Sequence, residues 1–219
     1  AYAVKSLNPN IKIYGVQSSG APSMVQSLEH HKIETLSSVS TIADGIAVKE
    51  PGEHTYKLCE KYVDGMVSVT DDQVSAAILA LIEKQKMIAE GAGDVSLAAV
   101  MFGKIPDLKG KKVVCLISGG NIDVTILSRV INRGLLMSGR TTTMTIELVD
   151  KPGQLVAVSA IIAGCGGNVT AVLHARRSEG SDVNGGYLRL TIEHRDVAHI
   201  KTNEDKHNTS ASKTVDRQH

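Results

Sequence analysis

Residues 113–117, Val-Val-Cys-Leu-Ile, form a continuous apolar run between Lys111-Lys112 and Ser118-Gly119-Gly120. A short run with no polar alternation is the pattern of a strand buried on both faces, and such strands belong to mostly parallel sheets covered by helices. After the glycine turn, Ile122, Ile126, Leu127, Val130 and Ile131 recur at helical spacing through residues 122–133, and Gly134 stands where a C-terminal cap is expected. Strand, glycine turn and helix in succession predict an α/β layer. In open α/β sheets ligands sit outside the carboxyl ends of the strands, where glycines let backbone approach closely and a helix amino terminus favours anions. Ser118 is then placed to offer its hydroxyl to a crevice. Taken alone, the glycine pair equally suits a plain tight connection. The turn holds no G-x-G-x-x-G, and Gly110-Lys111 precedes the strand, so neither a dinucleotide fingerprint nor a P-loop is present.

A chain of 219 residues, 42% hydrophobic, has enough apolar material for two packed cores, and two domains are expected. With no Trp, one Phe and five Tyr, those cores must be filled by aliphatic residues, and stacking platforms for single-stranded nucleic acid are lacking. A net charge of +1 supplies no basic footprint for phosphate backbones, so nucleic acid is not an expected partner. Cys59, Cys115 and Cys165 are odd in number and far apart, which fits small core residues in a reducing, cytoplasmic compartment. No apolar run is long enough for a bilayer and no signal-like segment opens the chain, so a membrane is not expected either.

In chain order, residues 2–7 suggest a short helix, residues 11–16 a strand, and Pro22 the first turn of a helix to about His31. Residues 35–48 lack either period yet are too apolar for a solvated linker; Asp44-Gly45 marks a turn within them. A helix follows Pro51-Gly52, then a short strand at residues 66–69. Thr70-Asp71-Asp72-Gln73 is a capping box, its acidic pair suited to a positive helix end, and Val74, Ala77, Ile78, Leu81 and Ile82 make the helix behind it amphipathic. Residues 89–93, Ala-Glu-Gly-Ala-Gly, look like a hinge before a further helix at about residues 95–102; Glu90 is either an exposed helix-end carboxylate or a partly buried site group.

Past a linker at residues 134–140 the texture changes. Met144, Ile146 and Leu148 alternate with polar residues, Asp150-Lys151-Pro152-Gly153 opens a helix, and Gly164, Gly166 and Gly167 close it. Val169, Ala171 and Leu173 suggest a second strand and Leu188, Leu190 and Ile192 a third, with a polar loop at residues 176–185. This βαββ pattern is the beginning of a ferredoxin-like α+β sandwich at residues 141–200. Residues 201–219 carry only Ala211 and Val215 as apolar residues, and a disordered tail is expected rather than the missing helix and fourth strand.

SGGNID, EGAG, STIADGIAV and the DKPG-opened βαββ module, in their chain positions, resemble the carboxyl-terminal half of a threonine ammonia-lyase with one regulatory ACT domain; the resemblance covers about residues 1–200. It implies a fold of the tryptophan-synthase-β type (fold type II, three layers around a mostly parallel sheet) for residues 1–133, followed by an incomplete ACT domain. It also implies pyridoxal 5'-phosphate as cofactor, with elimination of water and then ammonia from threonine to give 2-oxobutanoate, and from serine to give pyruvate. Isoleucine biosynthesis is among the roles of such enzymes. By this resemblance Ser118 meets the pyridine nitrogen of the cofactor, Gly119, Gly120 and Asn121 shape the pocket floor, Ala43, Asp44 and Gly45 lie beside it, and Glu90 belongs to the wall near the ring. Asp150, Pro152 and Gly153 fall at the turn where ACT domains hold amino-acid effectors, and homo-oligomers are the implied assembly. The family's Schiff-base lysine and its glycine-rich substrate and phosphate elements precede the region covered, so the chain is expected to be a fragment that is inactive alone. Related serine racemases place a carboxylate cation ligand where this chain has Gln17, and a second acidic ligand falls at Ser23, so no metal site is expected. The alternatives are a pure ACT-type binding protein, or a related enzyme acting on serine or a hydroxyaspartate.

Overall fold

The computed structural model describes residues 1–176, 185–194 and 214–218, and the chain divides into two compact units, residues 1–134 and 135–219.

In the first unit, α1 (Tyr2–Leu7) precedes β1 (Tyr14–Ser18), which pairs in parallel with β2 (Gly65–Val69). Between them run α2 (Ser23–Glu29), a single 3-10 turn (Asp44–Ile46) inside an otherwise irregular loop, and α3 (Glu53–Tyr62). Helix α4 (Asp71–Ala80) opens on the expected capping box: Gln73 N–H donates to Thr70 Oγ1 at 3.3 Å and Thr70 N–H donates to Gln73 Oε1 at 3.1 Å. It runs into a π turn (Leu81–Gln85) that ends where Lys86 turns left-handed. Helix α5 (Gly91–Met101) and α6 (Val124–Met137) pack with α4 around Val69, Val74, Ala77, Ile78, Val95, Ala98 and Val130.

Several expectations change here. Helix α5 starts at Gly91 rather than near residue 95, so the supposed hinge is its N-cap and first turn. Gly134 does not end α6. The helix continues to Met137, and Gly134 sits where a Cβ would come within 3.0 Å of Leu79 Cβ and of the Ser75 carbonyl oxygen; close packing of α6 on α4 explains the glycine. The first residues of the supposed linker are therefore helical. Residues 113–117 form no strand, and Val114 is 93% exposed and Leu116 75%. Among the described residues no strand lies beside them, and an apolar run announces that its faces are to be covered without naming the cover. Among the described residues the parallel sheet of this unit consists of β1 and β2. An exposed loop over residues 103–112, turned by the left-handed Gly103, Asp107 and Gly110, links α5 to that segment.

The second unit is an antiparallel sheet in the order β4-β5-β3-β6, from β3 (Thr141–Val149), β4 (Asn168–Arg176), β5 (Gly185–Glu193) and β6 (Thr214–Gln218), with α7 (Gln154–Gly164) following β3. The βαββ succession is as expected. Met144, Ile146, Leu188, Leu190 and Ile192 face Val158 and Ile162 of α7, the outcome that period-2 alternation specifies. The tail was not expected to contribute, yet residues 214–218 pair with β3. A strand can be held by backbone hydrogen bonds alone, and polar composition does not forbid it. Residues 177–184 of the polar loop and 201–213 of the tail lie outside the described residues.

Candidate functional site

Helix α5 begins with Gly91-Ala92-Gly93, so its first turn projects almost no side chain, and two backbone segments close onto it. A Cβ at Gly91 would lie 2.6 Å from the Ile42 carbonyl oxygen, one at Gly93 2.5 Å from the Gly119 oxygen, and one at Gly45 3.1 Å from Ala92 Cβ. At Gly119 it would run into the Glu90 carboxylate. At Gly91 and Gly93, where the facing atoms are backbone, only glycine permits the approach. Hydrogen bonds fix the same contacts: Glu90 N–H donates to Gly119 O at 3.1 Å, Ser118 N–H to Gly93 O at 3.2 Å, and the Ser96 hydroxyl to Leu116 O at 3.0 Å.

Three motifs far apart in sequence are therefore brought to one end of α5: Ala43, Asp44 and Gly45; Glu90; and Ser118, Gly119 and Gly120. Glu90, the N-cap, is half-buried with its carboxylate against Gly119. The Ser118 hydroxyl is exposed and has no hydrogen-bond partner among the described residues. Asn121 is exposed beyond Gly120, and Asp44 accepts a 2.8 Å hydrogen bond from Gly45 N–H. Asp123, the last residue of the motif, caps α6: its Oδ1 accepts from Thr125 N–H at 2.7 Å, and its bonds to the Thr125 hydroxyl and amide hold its carboxyl below the usual range.

Three carboxylates, Asp71, Asp72 and Asp94, have partners or surroundings that sequence patterning did not single out. Asp71 accepts from the Ser18 hydroxyl at 3.3 Å, the Thr41 hydroxyl at 2.5 Å and Ile42 N–H at 3.0 Å, tying the end of β1 and the 41–45 loop to the start of α4. Asp72 beside it binds Arg133 of α6 instead, through Nε at 2.5 Å and Nη2 at 2.7 Å, and that guanidinium lowers its pKa. Asp94, one residue past Gly93, is 0% exposed with neither oxygen hydrogen-bonded among the described residues, and burial pushes its carboxyl up to about 8. An aspartate at the fourth position of an otherwise apolar, small-residue helix was the available signal for it.

The positions weighed as cation ligands do structural work. Gln17 Oε1 accepts from Val25 N–H at 2.9 Å at the start of α2, and the Ser23 hydroxyl donates to Val48 O at 2.7 Å. In the second unit Gly153 is left-handed (φ 91°) at the N-cap of α7, Pro152 is exposed, and Asp150 Oδ1 lies 3.7 Å from Nε2 of His174 on β4, a residue not anticipated there.

A surface made of glycine backbone, with a hydroxyl and a carboxylate at its edge, suits a flat ring that hydrogen-bonds through one atom. Comparison with known proteins assigns the class. Residues 1–119 match the family model described as pyridoxal-phosphate dependent enzyme, and the chain belongs to that family, whose cofactor is the one the resemblance implied. It is 44% identical over 199 residues to an L-threonine ammonia-lyase of Thermotoga maritima, covering 91% of this chain and 49% of that protein. With an L-threonine ammonia-lyase of Geobacter sulfurreducens it is 39% identical over 201 residues, covering 92% and 50%. Among solved structures, the processed form of threonine deaminase isoform 2 from Solanum lycopersicum superimposes with a TM-score of 0.55 at 38% identity, over 61% of this chain and 37% of that one. The chain spans about half the length of these curated relatives.

Proposed function

We propose that this chain forms the cofactor-ring side and the regulatory module of an L-threonine ammonia-lyase, which removes water and then ammonia from L-threonine to give 2-oxobutanoate and acts likewise on L-serine. The observation that carries this reading is the convergence of the 41–45 loop, Glu90 and Ser118-Gly119-Gly120 on the glycine turn of α5, in a chain 44% identical to a named relative. When bound, pyridoxal phosphate supplies an electron sink for the bond broken at the substrate α-carbon.

This chain's residues set how strong that sink is. The Ser118 hydroxyl would hold the pyridine nitrogen by donating to it and, being far less acidic than a carboxylic acid, would not keep that nitrogen protonated. A weaker sink suits β-elimination, in which the leaving hydroxyl accepts the electrons. Gly119, Gly120 and Asn121 form the floor, Ala43, Asp44 and Gly45 the adjoining wall, and Glu90 limits access of water beside the ring. The resemblance puts the lysine that anchors the cofactor and the phosphate-binding glycines outside the region this chain covers. Residues 141–200 act as an ACT-type module, with Asp150, Pro152 and Gly153 at its amino-acid effector turn, in a homo-oligomer.

The test is Ser118→Ala in the full-length lyase. Loss of one hydrogen bond in a dry site is worth about 1–3 kcal/mol, hence roughly five- to a hundredfold in cofactor affinity or turnover. Ser118→Asp should protonate the ring and divert flux from elimination toward racemisation or transamination. Parental affinity and rate in Ser118→Ala would reduce Ser118 to a turn residue and remove the basis of this reading.

A further inference from the structure

Asp71 and Asp72 both open α4, and a helix-dipole argument treats them alike; their hydrogen bonds do not. Three donors converge on the Asp71 carboxylate: the buried Ser18 hydroxyl and the Thr41 hydroxyl on Oδ1, and Ile42 N–H on Oδ2. Thr41 Oγ1 in turn accepts from Ala43 N–H at 3.1 Å. The path from the carboxylate to Ala43 is continuous, and Ala43 is 0% exposed, directly ahead of Asp44 and Gly45. The same loop meets α5 where Gly91 faces the Ile42 carbonyl. Among the described residues no backbone carbonyl accepts from Ile42 N–H or Ala43 N–H.

We propose that Asp71 is a positioning residue for the cofactor site: its carboxylate sets the Thr41–Ala43 backbone, and through it the wall formed by Ala43, Asp44 and Gly45. The inference rests on the reading above for the identity of the cofactor, but not for the mechanical link. Both carboxylate oxygens serve as acceptors here. Asparagine offers one acceptor and one NH2 donor, and whichever way it turns, either Ile42 N–H or the hydroxyl pair loses its acceptor. The capping box does not use the Asp71 side chain, so Asp71→Asn leaves the start of α4 intact.

The experiment compares Asp71→Asn with Asp72→Asn in the full-length protein. The second variant removes the same charge from the same helix end but touches Arg133 and not the loop, and so controls for charge and helix stability. Two readouts are taken: amide hydrogen exchange of residues 41–45 in the cofactor-free protein, and pyridoxal phosphate affinity by fluorescence titration. For Asp71→Asn the exchange of Ile42 or of Ala43, according to which way the amide turns, should speed up at least tenfold and cofactor affinity should fall about tenfold, while Asp72→Asn changes either by less than twofold. Unchanged exchange in Asp71→Asn overturns the proposal. So does faster exchange with parental affinity, because the loop is then not a site wall. Equal effects of the two variants overturn it as well, leaving charge alone as the cause. A parent protein that binds no pyridoxal phosphate overturns the functional reading itself, which the exchange data on the variants do not depend upon.

Discussion

The core of the first unit is mostly alanine and valine, Ala43, Ala77, Ala98 and Ala99 beside Val69, Val74, Val95 and Val130, with Ile78 among them, whereas the second buries Met144, Ile146, Ile162, Leu188, Leu190 and Ile192 with Val158. Small residues bring helix backbones close together, and the same closeness lets the 41–45 loop and residues 118–120 reach the glycine turn of α5. The second core is a sheet face and a helix filled with bulk, and it needs no backbone to touch backbone outside the ladders. Both units also bury polar side chains, Ser18, Ser23, Ser27, Ser75 and Asp94 in the first and Thr142 and His194 in the second; of these, Asp94 is the carboxylate with neither oxygen hydrogen-bonded among the described residues. One interior lets backbone meet backbone; the other is filled by side chains.

Three measurements can break or sharpen that contrast. The largest effect concerns Asp94. Its carboxyl is raised in the folded chain, to about 8 from an ordinary 3.8, so the unfolded chain ionises first as pH rises. Stability contributed by the neutral form is whole below about pH 4 and is lost toward pH 8, at up to about 1.4 kcal/mol per pH unit. Asp94→Ala should flatten that part of the stability profile and raise stability at pH 8 by a few kcal/mol, read from denaturant unfolding at several pH values. A variant with the parent's slope would mean that Asp94 is solvated or paired in solution.

Next in size, Leu190→Ala in the second unit should cost about 2–5 kcal/mol by calorimetry, because a fully buried leucine leaves a cavity in a sheet face that cannot collapse. Smaller again, Ala98→Leu in the first unit should cost about 1–3 kcal/mol by overpacking. If Ala98→Leu proved neutral, the close approach of the helices would not depend on small residues.

What could be seen in the sequence was what neighbours along the chain decide. The capping box of α4 lies within four residues, and the alternation of β3 states its own buried face. The stripe of α6 was also visible, but not its end, because Gly134 answers to Leu79 and Ser75 of another helix rather than to its own terminus. The motifs at residues 41–45, 90–93 and 118–121 could be picked out, although nothing local said they meet. Asp71 stayed hidden because its partners Ser18 and Thr41 stand 53 and 30 residues away, while its helix-end position already explained it. The run at residues 113–117 misled for a related reason. It is apolar enough for a covered strand, and cover is a property of other segments. The strand at residues 214–218 could not be seen because backbone pairing leaves no mark on composition.

The exposed loop over residues 103–112 has one further consequence. It carries Lys104, Lys109, Lys111 and Lys112 on a stretch that contributes little to the core, so it is an accessible place for trypsin to cut. On either side of such a cut the polypeptide is anchored independently. Helix α5 is packed on α4, and beyond the loop Ile122, Ile126, Leu127 and Val130 return to the same core while residues 115–119 stay bonded to the start of α5. Continuity of the chain and integrity of the fold are separable at this point: a nick there yields two peptides held as one folded body, with Glu90 on the first and Ser118 on the second.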